Sequence, residues 1–103
     1  ELEYDLSQIE PVIAAPHTVD NVKPIKEMEG TPMNQCFLGT CTNGRLSDFK
    51  EAADILKGKK IASDTRLLIL PASKKVMKDA MKAGYIEILL DAGAVLLPPG
   101  CGP

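Results

Sequence analysis

The sequence predicts an α/β fold, with α/β/α layers around a small, mainly parallel sheet. Short apolar runs alternate with segments whose apolar residues recur at helical spacing, and a proline or glycine follows each run. The resulting order of strand, helix, strand, helix and strand implies right-handed parallel crossovers. A length of 103 residues suits one domain with a modest core.

Residues 1–32 are predicted to form an irregular N-terminal arm, and residues 33–103 the α/β subdomain. Four prolines and Gly30 interrupt the arm and leave only short extended stretches, such as residues 11–15. One short strand is the most that we expect there.

The first regular strand is predicted at residues 35–40, and residues 42–44 form the turn that opens a helix. Asn43 or Ser47 could be the N-cap of this helix, and Gly58 ends it. Its apolar stripe consists of Leu46, Phe49, Ala52, Ala53 and Leu56.

The second strand is the continuous apolar run at residues 67–70, which is typical of a strand buried on both faces. Pro71 ends it, and Ser73 is predicted to cap the next helix. Gly84 closes that helix, whose apolar stripe consists of Val76, Met77, Ala80 and Met81.

A further helical segment is predicted at residues 86–92, and the last strand at residues 94–97 stops at Pro98. The strands at residues 35–40 and 94–97 would both end at the carboxyl edge of a parallel sheet, where ligands collect. Cys41 and Cys101, sixty positions apart, are therefore expected to be neighbours in space.

Composition excludes several classes of function. The formal net charge is −2 and no basic block occurs, which argues against nucleic acid as a partner. No apolar run approaches the roughly 18–20 residues that cross a bilayer, and the acidic start at residues 1–3 does not resemble a signal peptide. The default expectation is a soluble, cytoplasmic protein with no membrane partner.

The three cysteines indicate a reducing compartment and a metal-binding or catalytic use, because they are odd in number and lack the dense, even spacing of a secreted disulfide scaffold. Thiolates are the ligands of iron–sulfur clusters. Gly100 and Gly102 would let the backbone of Cys101 approach a bulky group. Cys36 has the opposite strand parity from Cys41, so we expect it to be buried and turned away.

Three further residues are weaker candidates. Arg45 could hold a substrate carboxylate through two hydrogen bonds, or simply be a solvated arginine at a helix start. Asn43 could face a substrate or serve as a cap. His17 lies in a proline-flanked loop, where an acid–base role and a purely polar loop role both remain open.

Two motifs carry a resemblance to a known family. The segments Leu-Gly-Thr-Cys-Thr-Asn-Gly-Arg at residues 38–45 and Pro-Pro-Gly-Cys-Gly-Pro at residues 98–103 resemble the cluster-binding segments of the aconitase superfamily of iron–sulfur hydro-lyases. In that family a Cys-Thr-Asn segment supplies one thiolate and a later Cys-x-x-Cys pair supplies two. The resemblance makes Cys41 and Cys101 metal ligands. The final cysteine would fall one position beyond Pro103, so we expect a fragment of a larger enzyme.

The resemblance also implies a fold of the aconitase iron–sulfur domain type and a function. The branch it points to contains the large subunits of isopropylmalate dehydratase, an enzyme of leucine biosynthesis, with homoaconitase as the alternative. The intact enzyme would use a 4Fe–4S cluster to dehydrate and rehydrate a hydroxy diacid or triacid. Its partners would be a small subunit and the rest of the large subunit, where most catalytic residues, including the general base, would lie. The fragment alone is expected to be inactive and to lack a stable cluster.

Two readings from other classes are less favoured. A non-catalytic α/β module could bind an anion at its strand ends, but no G-x-G-x-x-G or P-loop pattern occurs. A thiol-redox domain is the other, but the chain contains no Cys-x-x-Cys pair.

Overall fold

A computed structural model describes residues 1–102 of the chain. The chain divides into two compact units, the first at residues 1–32 and the second from Met33 onward. Within the described residues, no helix is both long and apolar enough to cross a membrane.

The first unit is built around a short antiparallel hairpin. Strand β1 (Val12–Ala14) pairs with β2 (Val22–Pro24). The sequence predicted at most one strand here, because the intervening prolines hid the pairing. The Asn21 side chain donates a 2.7 Å hydrogen bond to the carbonyl of Pro16, and this bond closes the loop between the strands. Short 3-10 turns occur at Leu6–Gln8 and Ile25–Met28.

The second unit carries the regular α/β structure. In chain order its elements are β3 (Gln35–Gly39), α1 (Thr40–Asn43), α2 (Leu46–Leu56), β4 (Arg66–Leu70), α3 (Lys74–Lys82), α4 (Tyr85–Ala92) and β5 (Val95–Leu96). Strands β3, β4 and β5 form a parallel sheet in that order, with β4 in the centre. The α/β class and the small parallel sheet predicted from the sequence are confirmed.

Because the strand order follows the chain order, right-handed crossovers place the connecting helices on one face of the sheet. The core agrees with this arrangement, since residues of α2, α3 and α4 form one cluster with alternate residues of the strands. Of the three layers predicted, this unit therefore contains two. On the other face of the sheet, Phe37, Leu68 and Val95 are neighbours across the three strands. These three side chains are only partly buried.

The core is small and apolar. Phe49 of α2, Ile69 of β4 and Leu89 of α4 are fully buried at its centre. Ala80, Ile86 and Ala94 complete the buried cluster. No buried side-chain polar atom lacks a hydrogen-bond partner among the described residues. The unit is thus held together mainly by apolar burial beneath a single sheet.

Helix ends confirm one predicted cap and correct another. The Ser73 hydroxyl accepts a 3.2 Å hydrogen bond from the Val76 amide, as predicted for the start of α3. The N-cap of α2 is Arg45, however, and neither Asn43 nor Ser47. The Asp48 carboxylate accepts a 3.0 Å hydrogen bond from the Arg45 amide, so an acidic residue inside the first turn satisfies the backbone there.

Candidate functional site

Cys41 lies in a tight turn at the carboxyl end of β3. Gly39, the last residue of the strand, has φ 155°, and a Cβ atom there would lie 2.2 Å from the carbonyl oxygen of Leu70. Thr40 follows with φ 74°, a left-handed conformation that is rare for a β-branched residue. These two conformations turn the chain from β3 directly into the single helical turn α1, which contains Cys41.

Cys101 lies in the loop that follows β5. The Leu97 amide donates a 2.9 Å hydrogen bond to the carbonyl of Ile69, and the Gly100 amide donates a 3.0 Å hydrogen bond to the carbonyl of Pro71. The loop is therefore held along the end of β4. Because β4 also pairs with β3, both cysteine segments meet at the same edge of the sheet.

The two sulfurs are in contact. The Sγ atoms of Cys41 and Cys101 lie 3.5 Å apart, within the range of a thiol hydrogen bond, and both side chains are exposed. The structure thus confirms the expectation that these cysteines are neighbours at the carboxyl edge. Parallel strands present all their carboxyl ends at one edge, so the loops that follow β3 and β5 meet there.

Cys36 is the third cysteine, and it takes no part in this contact. It pairs with Leu67 inside the sheet and shares a strand face with Leu38, which packs against the core. Its side chain is half-buried, not fully buried as predicted. The reason is that β3 is an edge strand of the three-stranded sheet, so its helix-side face is only partly covered.

The contact makes the two thiols electrostatically different. The hydrogen bond with Cys101 lowers the pKa of Cys41, with smaller contributions from the Thr42 hydroxyl and the positive charge of Arg45. The same hydrogen bond, together with the negative charge on Cys41, raises the pKa of Cys101. These directions favour Cys41 as the first of the pair to become a thiolate, to which the Cys101 thiol would then donate the hydrogen bond.

The remaining sequence candidates lie at different places. Asn43 is the last residue of α1, which contains Cys41, Arg45 follows Gly44 as the N-cap of α2, and both residues are exposed. His17 is exposed in the hairpin loop of the first unit. Within the second unit, Arg45 and Asn43 thus lie in the chain segment that carries Cys41.

Sequence reasoning missed the contribution of the end of β4. The Ala72 amide donates a 2.9 Å hydrogen bond to the carbonyl of Gly44, and the Pro71 carbonyl accepts from Gly100. Pro71 is fully buried. The sequence shows the apolar run that ends at Pro71. It does not show that the Pro71 carbonyl and the Ala72 amide bind the two cysteine loops, because this follows only from the order of the strands in the sheet.

The donor set fits thiolate ligation of a soft metal centre. Two exposed cysteine sulfurs converge at this edge, and a Cβ atom at the neighbouring Gly100 would meet nothing within 4 Å, so the chain is open to solvent on that side. Within residues 1–102, no three or more histidine, cysteine, aspartate or glutamate side chains gather around one point that could hold a metal ion. The described residues therefore bring two soft ligands to this edge.

Comparison with known proteins identifies relatives of this arrangement. The model of the aconitase family (aconitate hydratase) matches residues 23–103. This range includes the complete α/β unit and both cysteine segments.

Individual relatives match over nearly the whole chain. The methanogen homoaconitase large subunit of Methanocaldococcus jannaschii is 53% identical over 103 residues, which are 100% of this chain and 24% of that protein. The probable 3-isopropylmalate dehydratase large subunit of Methanothermobacter thermautotrophicus is 54% identical over 102 residues, 99% of this chain and 24% of that protein. The 3-isopropylmalate dehydratase large subunit of Saccharolobus solfataricus is 52% identical over 103 residues, which are 100% of this chain and 24% of that protein. The chain spans about a quarter of the length of these relatives.

Proposed function

This chain belongs to the aconitase family, and on that premise we propose that it is part of the large subunit of a 3-isopropylmalate dehydratase, a hydro-lyase of leucine biosynthesis. The observation that carries the proposal is the contact between Cys41 and Cys101, which join the two segments that resemble the family's cluster-binding motifs. Relatives named as large subunits of this dehydratase support the choice of reaction.

In this proposal Cys41 and Cys101 are two of the thiolate ligands of a 4Fe–4S cluster. When bound, such a cluster supplies a Lewis-acid iron for the hydroxyl and carboxylate groups of the substrate. The chain's own contribution is to hold two thiolates at one exposed edge. The lowered pKa of Cys41 favours the form that binds iron. A third thiolate is also needed, and residues 1–102 do not bring one to this pair.

Arg45 and Asn43 are the proposed substrate contacts. Both are exposed in the segment that carries Cys41, and a guanidinium can bind a carboxylate through two parallel hydrogen bonds. The substrate is then a hydroxy diacid or triacid. The other partners are the rest of the large subunit and a small subunit. A reducing cytoplasm suits the three free cysteines.

Homoaconitase is the second candidate, because a relative with 53% identity is named as a methanogen homoaconitase large subunit. Both reactions remove water from a hydroxy acid and add it back at the neighbouring carbon. The exposed Arg45 would bind a carboxylate in either case, so the two candidates share the same use of this chain. Assays with isopropylmalate and with homocitrate separate them.

The decisive experiment uses the complete large subunit that contains this segment, purified with its small subunit. Anaerobic reconstitution with iron and sulfide is followed by visible absorption and by dehydratase activity. Cys41→Ser and Cys101→Ser should each remove the cluster absorption and the activity. Cys36→Ser is the matched control, since it makes the same atomic change outside the pair, and it should keep both.

Full cluster absorption and full activity in Cys41→Ser would contradict the ligand assignment. A wild-type large subunit that takes up no iron under these conditions would contradict the proposed function as a whole. Circular dichroism of each variant checks that the fold is retained.

A further inference from the structure

Both cysteine loops are attached to consecutive residues at the end of β4. The Ala72 amide donates to the carbonyl of Gly44 at 2.9 Å, and the neighbouring Pro71 carbonyl accepts from the Gly100 amide at 3.0 Å. Leu70 and Pro71 are buried, so this attachment point is set firmly in the core. The separation of the two sulfurs therefore depends on how closely each loop sits against one buried segment.

Gly44 sits against that segment with no space for a side chain. A Cβ atom there would lie 2.5 Å from the carbonyl oxygen of Thr40, 2.6 Å from that of Leu70 and 3.0 Å from the Ala72 nitrogen. Its φ of −101° is open to any residue, so glycine is not required for backbone conformation. All three neighbours are backbone atoms, which cannot swing aside as the tip of a long side chain can. Any side chain at this position must push the Cys41 turn away from β4.

Gly100 provides the opposite case in the other loop. A Cβ atom there would meet nothing within 4 Å, and its φ does not lie in the left-handed range. Alanine at this position keeps the amide that donates to Pro71. Gly44→Ala and Gly100→Ala are thus the same chemical change at the two attachment points, with a steric conflict at only one of them.

We propose that Gly44 is a positioning residue that seats the Cys41 turn against the end of β4. It thereby holds the Cys41 and Cys101 sulfurs in contact with each other. The inference deepens the proposed function, and it rests on that function for its meaning in the enzyme. The positioning of the two sulfurs requires no iron, so the role of Gly44 and the proposed iron–sulfur function can be refuted separately.

The test measures how readily the two sulfurs join. Glutathione disulfide oxidises the pair by two exchanges: one cysteine thiolate attacks it to give a mixed disulfide and one glutathione, and the second cysteine displaces the other glutathione. The net products are a Cys41–Cys101 disulfide and two glutathione thiols. Cys36→Ala is included in every chain, so that no third thiol competes.

Each chain is equilibrated anaerobically with defined ratios of glutathione and its disulfide, then alkylated and analysed by mass spectrometry. We expect Gly44→Ala to lower the equilibrium constant for disulfide formation at least about tenfold, because small misplacements of reacting atoms cost large factors in effective concentration. A tenfold change corresponds to about 30 mV in the potential of this two-electron couple. Gly100→Ala should stay within about twofold of the parent chain on the same reasoning.

An unchanged equilibrium constant in Gly44→Ala would overturn the proposal, and so would equal losses in the two alanine variants. A general loss of stability is separated from a positioning effect by urea denaturation of the reduced chains. If Gly44→Ala does not fold, a backbone ester in place of the Pro71–Ala72 peptide bond, made by chemical ligation, removes the Ala72 donor to Gly44 and weakens the Pro71 carbonyl that accepts from Gly100, without adding bulk. The ester should also lower the constant, and retention of the parent value would refute the shared attachment.

Discussion

Replacing Phe49 by alanine should remove a large part of the stability of the second unit. Phe49 is fully buried at the centre of the core cluster, where α2, α4 and the sheet meet. Truncation of a buried phenylalanine to alanine costs about 3–5 kcal/mol, from lost burial and from the cavity that remains. A unit of roughly 70 residues has a total stability of about 4–10 kcal/mol. The substitution therefore removes a large part of the free energy of unfolding.

The chain offers a matched control, because its only other phenylalanine lies on the open face of the sheet. Phe37 is 40% exposed, so the same truncation there should cost only about 1–2 kcal/mol. Urea denaturation of both variants, followed by circular dichroism, measures the difference. With a slope of about 1–2 kcal/mol per molar urea for a small unit, Phe49→Ala should lower the midpoint by roughly 2–4 M. Phe37→Ala should lower it by about 1 M.

Equal shifts in the two variants would refute the reasoning, because they would show that the helical layer does not bury Phe49 more deeply than the open face buries Phe37. A cost below about 1 kcal/mol for Phe49→Ala would refute it as well, since full burial is incompatible with so small an effect. A Phe49→Ala chain that is unfolded in water agrees with the prediction, provided that Phe37→Ala remains folded.

Two further predictions concern the site and a helix start. Alkylation of Cys41 by iodoacetamide should begin at lower pH than that of Cys101, and Cys101→Ala should move the Cys41 profile to higher pH, because it removes the hydrogen bond that lowers the Cys41 pKa. The hydrogen bond to the Cys41 thiolate stabilises the folded state fully above the ordinary thiol pKa, and this stabilisation is lost as the pH falls through the lowered pKa of Cys41. Mass spectrometry measures the alkylation of each cysteine, and coincident pH profiles for Cys41 and Cys101 would contradict the prediction. Ser73→Ala should cost about 1 kcal/mol in urea denaturation, since it removes the acceptor for the Val76 amide. Ser73→Asp should retain most of the stability, and equal losses in the two variants would argue against a capping role.

Much of the second unit could be predicted from the sequence because its local and global signals agree. Apolar runs gave the strands, Ser73 gave a helix start, and strand order alone brought Cys41 and Cys101 to one edge. The short hairpin of the first unit was missed, since its pairing depends on hydrogen bonds across a proline-containing loop. The N-cap of α2 was misplaced because the helix begins directly after Arg45, whose amide donates to the carboxylate of Asp48 inside the first turn.

Other features that the sequence could not reveal lie around the cysteine pair, and they have a common physical origin. Thr40 occupies a left-handed conformation, which costs an L-residue of its kind about 1–2 kcal/mol. Gly39 and Gly44 pack so closely against Leu70 that neither has room for a side chain. Local propensity opposes the left-handed conformation of Thr40. It does not reveal the close packing of Gly39 and Gly44, because that packing depends on how near these residues lie to the end of β4. Backbone strain of this kind persists only where surrounding structure holds it, and it clusters at functional sites. Here the parallel pairing of β3 with β4 supplies that support, and the strained turn is the one that brings the Cys41 sulfur to Cys101.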